Sequence, residues 1–253
     1  MQAVIFAGGF GTRISEESHL VPKPMITIGG KPILVHIMEI YSKYGINNFL
    51  VLAGYKAEKI KEYFSNFFLH QSDVTFDLST NVTTYHRSYA PNWKVTIVDT
   101  GLKTQTAGRL KLAEDYLEPI FHLTYGDGLS SVDIKKLESL HHKSKSLVTL
   151  TAVQPSGRFG AVEINSGRVV RFVEKPIGDN RWINGGFFVV NRDQVLPLIQ
   201  DATNVWESDT LETLSNKSQL GAYVHKGFWS SMDTLRDREY LEKIYNSGDV
   251  PWH

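Results

Sequence analysis

The chain has 253 residues, with 27 lysines and arginines against 27 aspartates and glutamates and no cysteine. That length can bury a sizeable α/β core, while the balanced charge gives no positive field to recruit nucleic acid or an anionic membrane. The absence of cysteine excludes disulfides, thiolate metal sites and a cysteine nucleophile.

In chain order, the apolar run QAVIFA from Gln2 to Ala7 is too short for a helix and has the composition of a strand buried on both faces. Gly8, Gly9 and Gly11 follow at once, with Arg13 close behind. A glycine loop leaving a strand presents backbone N–H groups to an anion, and a guanidinium adds a forked donor, so phosphate is the expected ligand. A tight turn explains such a loop equally well on its own. Neither GxGxxG nor GxxxxGK[ST] fits, because Ile14 stands where the third glycine would be and no Gly-Lys-Ser/Thr follows.

Lys23 lies between Pro22 and Pro24, which restrict its backbone and lower what it loses on ordering. Helical spacing covers Ile33 to Tyr44, Ala57 to Phe68, Gly108 to Leu117 and Asp133 to His142. Strand-like runs alternate with them at Phe49 to Leu52, Val95 to Val98, Phe121 to Tyr125 and Val148 to Val153. This alternation predicts a Rossmann-like α/β fold, a mixed but mostly parallel sheet flanked by helices.

Beyond residue 160 the rhythm changes. Ala161 to Ile164 and Val169 to Glu174 flank Asn165-Ser166-Gly167, the mark of an antiparallel hairpin. Gly186 to Val190 and Leu220 to Val224 read as further strands. Met232 to Tyr245 reads as a terminal helix with Leu235, Tyr240, Leu241 and Ile244 inward. No repeat or linker divides residues 1–253, so one domain is expected. No apolar stretch approaches the roughly 20 residues that span a bilayer, and the start of the chain enters a strand, so the expectation is a cytoplasmic protein with no membrane partner.

Ligands of open α/β sheets bind beyond the carboxyl ends of the strands. The residues there are GGFGTR, Asp99-Thr100-Gly101 with Thr104 to Arg109, Gly126-Asp127-Gly128, and Glu174-Lys175-Pro176. Asp127 stands open between a positive-φ turn and a metal ligand. Asp233, in FWSSMDTLRD, reads first as the cap of the terminal helix. Two carboxylates on Mg²⁺ are nevertheless what polyphosphate transfer uses. The histidines show no HExxH, and the neighbours His141 and His142 face different directions, so no histidine metal site is expected. No GxSxG is present.

Taken together, AGGFGTR, PKPM, IGGKPIL, YGDG, QPSGRFG, EKP, WINGGFFV and GFWSSMDTLRD resemble, in order and spacing, the sugar-phosphate nucleotidyltransferases. The resemblance covers nearly the whole chain and is strongest to the cytidylyltransferases of that family. It implies the nucleotide-diphospho-sugar transferase fold, in a homo-oligomeric cytoplasmic enzyme of surface polysaccharide (lipopolysaccharide) sugar synthesis. The implied reaction is Mg²⁺-dependent transfer of a cytidylyl group from CTP to a sugar 1-phosphate, glucose 1-phosphate first, with release of pyrophosphate.

By the same resemblance Asp127 and Asp233 hold the metal, which moves Asp233 from cap to ligand. Arg13 takes the leaving phosphates and Lys23 the α-phosphate and the incoming phosphate. Phe6, Ala7, Gly8, Gly9, Phe10, Gly11, Thr12 and Gly126 surround the nucleotide, with Thr104, Gly108 and Arg109 framing the base. Glu174, Lys175, Asn184 and Gly185 meet the sugar phosphate. Two departures are Ala107, where the family carries a glycine beside the base pocket, and Ser230-Ser231, where it carries glutamine-proline. The alternatives are the same reaction on another nucleotide or on a hexose or heptose 1-phosphate, a GT-A type glycosyltransferase, and a silent binding module. A glycosyltransferase would usually carry Asp-x-Asp, whereas Gly126-Asp127-Gly128 offers one aspartate.

Overall fold

The computed structural model describes residues 1–14, 20–155, 161–173 and 182–253, without the side chains of 13, 88, 161–164, 172 and 173. Strand β1 (Gln2–Ala7) is buried along its whole length. It pairs in parallel with β2 (Asn48–Ala53) on one side, and β2 pairs in parallel with β3 (Lys94–Asp99). On its other side β1 pairs in parallel with β4 (Ile120–Tyr125). Further out come β5 (Val148–Val153), β6 (Ile183–Asn184), β7 (Phe188–Asn191) and β8 (Leu220–Val224). Strand β7 lies antiparallel to both β4 and β5, β6 lies antiparallel to β5, and β8 runs parallel to β5. The mixed sheet predicted from the alternation is what forms.

Because successive strand residues face opposite sides, the sheet divides the core in two. Ala3, Ile5 and Ala7 join Phe49, Val51 and Ala53 on one face, under helix α1 (Ile33–Ser42). Val4 and Phe6 join Leu50 and Leu52 on the other. There they meet Ala107 and Leu110 of a helix running Thr106–Leu112. Helix α2 (Ala57–Ser65), that helix as α3, and α4 (Ile134–Ser144) cover the sheet, and α5 (Leu235–Asn246) closes the described chain's last helical segment. Among the described residues no helix is long and apolar enough to cross a membrane.

Several elements differ from expectation for identifiable reasons. The helix expected over Ala57 to Phe68 breaks at Asn66, whose side-chain amide donates to the Glu62 carbonyl, and resumes as Phe67–His70. An unpredicted hairpin, Ser72–Asp77 with Val82–Ser88, follows. Its side chains are largely exposed, so no buried face imposed a readable alternation. The helix expected over Gly108 to Leu117 starts at Thr106 and gives way to a 3₁₀ turn at Glu114–Tyr116. The hairpin after residue 160 forms as Ala161–Asn165 and Arg168–Val173, leaving Glu174 outside the described residues.

The terminal helix begins at Leu235 instead of Met232, because Met232 continues a short ribbon through its N–H bond to the Asp127 carbonyl and Thr234 takes an extended cap conformation. Leu241 is buried as expected, whereas Leu235 and Tyr240 are exposed, since α5 lies on the periphery.

Candidate active site

Beyond the carboxyl ends of β1 and β4 lies a cavity of about 380 Å³. Its wall is the glycine loop from Phe6 to Gly9 with Gly11 and Thr12, and its floor holds Lys23, Gly126, Asp127 and Asp233. The convergence of Asp127 and Asp233 is built by two three-residue strands, Gly128–Ser130 and Trp229–Ser231, which pair antiparallel so that Gly128 lies opposite Ser231. The bond from Met232 N–H to the Asp127 carbonyl at 2.8 Å extends that ribbon to the two carboxylates.

Lys23 Nζ lies 2.5 Å from Asp127 Oδ2 and 2.9 Å from Asp233 Oδ1. Its side chain is 14% exposed, so the ammonium is enclosed. Burial by itself would lower its pKa. The two carboxylates outweigh burial and raise it above the ordinary 10.5, so the ammonium persists at every working pH. Asp233 Oδ2 accepts a hydrogen bond from Ser231 Oγ at 3.0 Å, which a proline at 231 could not donate. The helix-cap reading of Asp233 is corrected here. Thr234 is the cap, forming a reciprocal capping box with Asp237, and Asp233 is turned toward the cavity.

Arg109, expected to frame the base, lines the cavity and also holds its walls together. It is buried, and its guanidinium donates to the carbonyls of Gly8 (3.0 Å), Ala53 (3.1 Å) and Gly101 (2.9 Å) and to Thr100 Oγ1 (2.6 Å). One side chain thus ties together the loops after β1, β2 and β3. All four acceptors are neutral, and with only Asp99 offsetting part of it, the charge also reaches the adjoining cavity, where an anion would feel it. Gly8 is required beneath it, because a Cβ there would fall 2.2 Å from the guanidinium carbon. Likewise a Cβ on Gly126 would lie 2.5 Å from the Phe6 carbonyl. Replacing Arg109 by methionine should remove four bonds to a charged donor, at about 1.5–3 kcal/mol each, although the Gly8 and Ala53 carbonyls keep bonds from Tyr55 and Thr100. We expect urea denaturation to show a loss of about 3 kcal/mol or more, and an unchanged midpoint would refute the tethering role.

The remaining expected residues fall into four groups. Ala7, Gly9, Gly11, Thr12 and Thr104 line the cavity. Phe10, Ala107 and Gly108 do not. The Phe10 ring lies 5.5 Å from that of Tyr55 and is 47% exposed. Ala107 is fully buried in the core, so its methyl does not face the base pocket. Gly108 donates its N–H to the Asn204 carbonyl, and its α-carbon faces Ala202 at a distance no Cβ could occupy. The Arg13 side chain, together with Glu174 and Lys175, lies outside the described residues, although the backbone of Arg13 sits in the turn Thr12–Ile14 that follows the glycine loop. Part of QPSGRFG, residues 156–160, is also outside them.

Asn184 and Gly185 stand behind the cavity wall. Asn184 Nδ2 donates to the Tyr125 hydroxyl at 3.1 Å, and the Gly185 carbonyl accepts from Trp229 Nε1 at 2.7 Å. The Tyr125 hydroxyl in turn donates to Glu207 Oε1, whose other oxygen accepts from Thr106 Oγ1 at 3.2 Å. Burial first, then the Glu207 carboxylate, pushes the Tyr125 phenol far above its ordinary value, so it remains a donor. This chain of bonds links β6 to the start of α3 across the cavity. Sequence reasoning missed Tyr125, Thr106 and Glu207 as a unit. Tyr125 had a signal, as the last residue of a strand ending at the ligand edge, but Glu207 sits in a π-helical turn with no motif around it.

A family model described as "Nucleotidyl transferase" matches residues 2–240. The chain is 50% identical to a glucose-1-phosphate cytidylyltransferase of Salmonella typhimurium, over 100% of this chain and 98% of that protein. It is 28% identical to a mannose-1-phosphate guanyltransferase of Saccharomyces cerevisiae, over 95% of this chain and 63% of that protein. A solved structure of UDP-glucose pyrophosphorylase with UDP-glucose superposes with a TM-score of 0.67 at 15% identity, covering 98% of each chain. That last likeness concerns the fold.

Proposed function

The chain belongs to the nucleotidyl transferase family, and from that premise we propose that it transfers a cytidylyl group from CTP to glucose 1-phosphate, releasing pyrophosphate and forming CDP-glucose. The observation that carries this reading is the meeting of Lys23, Asp127 and Asp233 on the floor of a cavity walled by the glycine loop. The 50% identity along the whole chain supports the choice of base and sugar.

In the reaction an oxygen of the sugar phosphate attacks the α-phosphorus of CTP. A new P–O bond forms there, and the bond from the α-phosphorus to the bridging oxygen breaks, with its electrons leaving on pyrophosphate. No side-chain nucleophile is needed, so the work is alignment and neutralisation of charge. Lys23 would meet the α-phosphate and the incoming phosphate, and the backbone N–H groups of the glycine loop would receive the triphosphate.

Two carboxylates opposing one ammonium form the hard, oxygen-rich donor set that suits Mg²⁺. Asp127 and Asp233 would hold the ion, and it would supply charge neutralisation on the phosphates. Arg109 keeps the three loops in register. Arg13 would take the leaving phosphates, with Glu174, Lys175 and Asn184 serving the sugar phosphate. We further place the enzyme in the cytoplasm as a homo-oligomer supplying an activated sugar for surface polysaccharide.

The test is pyrophosphate release with glucose 1-phosphate and each of CTP, UTP, GTP and dTTP at saturating Mg²⁺. CTP should give the highest kcat/KM. A preference for another base would overturn the cytidylyl assignment, and turnover with none of them would overturn the reaction.

A further inference from the structure

Among the described residues, one group of three metal-type side chains converges outside the nucleotide cavity: His36, Glu39 and His253. We propose that His36 Nδ1, Glu39 Oε2 and His253 Nε2 form a site for one zinc-class divalent ion, tying the segment after α5 to α1. His36 and Glu39 lie one turn apart on α1, whereas His253 arrives from 217 residues away, so no motif announces the site.

The spacing fits a tetrahedral ion. The three ligand atoms are separated by 3.2, 3.5 and 3.7 Å. Zinc bonds of 2.0–2.1 Å set ligand atoms about 3.3 Å apart. The tautomer also fits. His36 Nε2 lies 2.9 Å from the Ile28 carbonyl and so carries the proton, which leaves the Nδ1 lone pair for a metal, the outer-shell pattern of ligating histidines. Glu39 Oε1 is engaged by Lys31 Nζ at 2.5 Å, while Oε2 is buried with no hydrogen-bond partner and faces both imidazoles. Two imidazoles and a carboxylate favour zinc, cobalt or nickel over magnesium.

The rings of His36 and His253 are now placed as for a direct N–H···N bond, and the half-exposed His253 ring needs only a modest turn to share an ion. Trp252 Nε1 donates to the same His36 nitrogen at 3.3 Å, a contact the ion would replace, which makes indole fluorescence a reporter. A second cavity of about 560 Å³, lined by Glu39 and His253 with Lys31 and Trp93, gives water access to the remaining coordination position.

The test uses the full, untagged chain, stripped with chelator and titrated with Co²⁺ in excess Mg²⁺, which fills the aspartate site first. One equivalent should bind with the intense visible bands of four-coordinate cobalt and a change in tryptophan fluorescence. Glu39→Gln and His253→Ala, both at partly exposed positions and checked for folding by circular dichroism, should each weaken binding at least about tenfold. Absence of binding, unchanged affinity in both variants, or loss in Asp127→Asn instead would overturn the proposal.

Discussion

Replacing Lys23 by alanine is expected to lower kcat on the order of 10²-fold or more, because a charge aimed at developing phosphate charge is removed. The structure adds a consequence for stability. Lys23 lies between Asp127 and Asp233, so its loss leaves two carboxylates facing each other without a cation. These carboxylates are 27% and 24% exposed, so water screens part of the repulsion and the fold survives with a lowered Tm. Added Mg²⁺ should restore much of that Tm without restoring kcat. A folded Lys23→Ala protein with near-normal turnover would refute the role given to the ammonium.

Asp127→Asn and Asp233→Asn are each expected to cost on the order of 10³-fold in kcat/KM, with the double variant scarcely worse. Asparagine keeps the shape but removes the charge, and magnesium, which dehydrates reluctantly, is poorly held by one carboxylate. The Ser231 bond to Asp233 and the ribbon through Gly128 and Ser231 place the two groups as one unit. Kinetics over a magnesium titration should show the apparent metal affinity falling in each single variant. If the two losses multiplied independently, the carboxylates would be acting separately and the shared-ion account would fail.

Much of the sheet was legible because burial on both faces leaves a strong local trace. QAVIFA and VTLTAV could be little else than core strands, and the carboxyl-end rule then pointed to the edge where the cavity lies. Lys23 and Asp127 were visible through flanking prolines and glycines. Asp233 was not, since its neighbours suit a helix start equally well. The true cap is Thr234, one residue on, and only the pairing of two very short strands decides between them.

Arg109 has a structural role that the sequence did not show. The resemblance implied a base contact, and the residue does line the cavity, but its four hydrogen bonds reach carbonyls and a hydroxyl brought together by tertiary folding. Glu207 and the histidine pair His36 and His253 left no trace, because Glu207 meets its partners 82 and 101 residues away and the histidines stand 217 residues apart.

The most direct test of the central claim is a crystal structure with CTP and Mn²⁺ in place of Mg²⁺, with the ion located by anomalous scattering. The account predicts manganese held jointly by Asp127 and Asp233 against the triphosphate, with Lys23 Nζ moved from the carboxylates to the α-phosphate. Triphosphate bound with no manganese on those two aspartates, or with Lys23 still paired to them and away from phosphate, would contradict it.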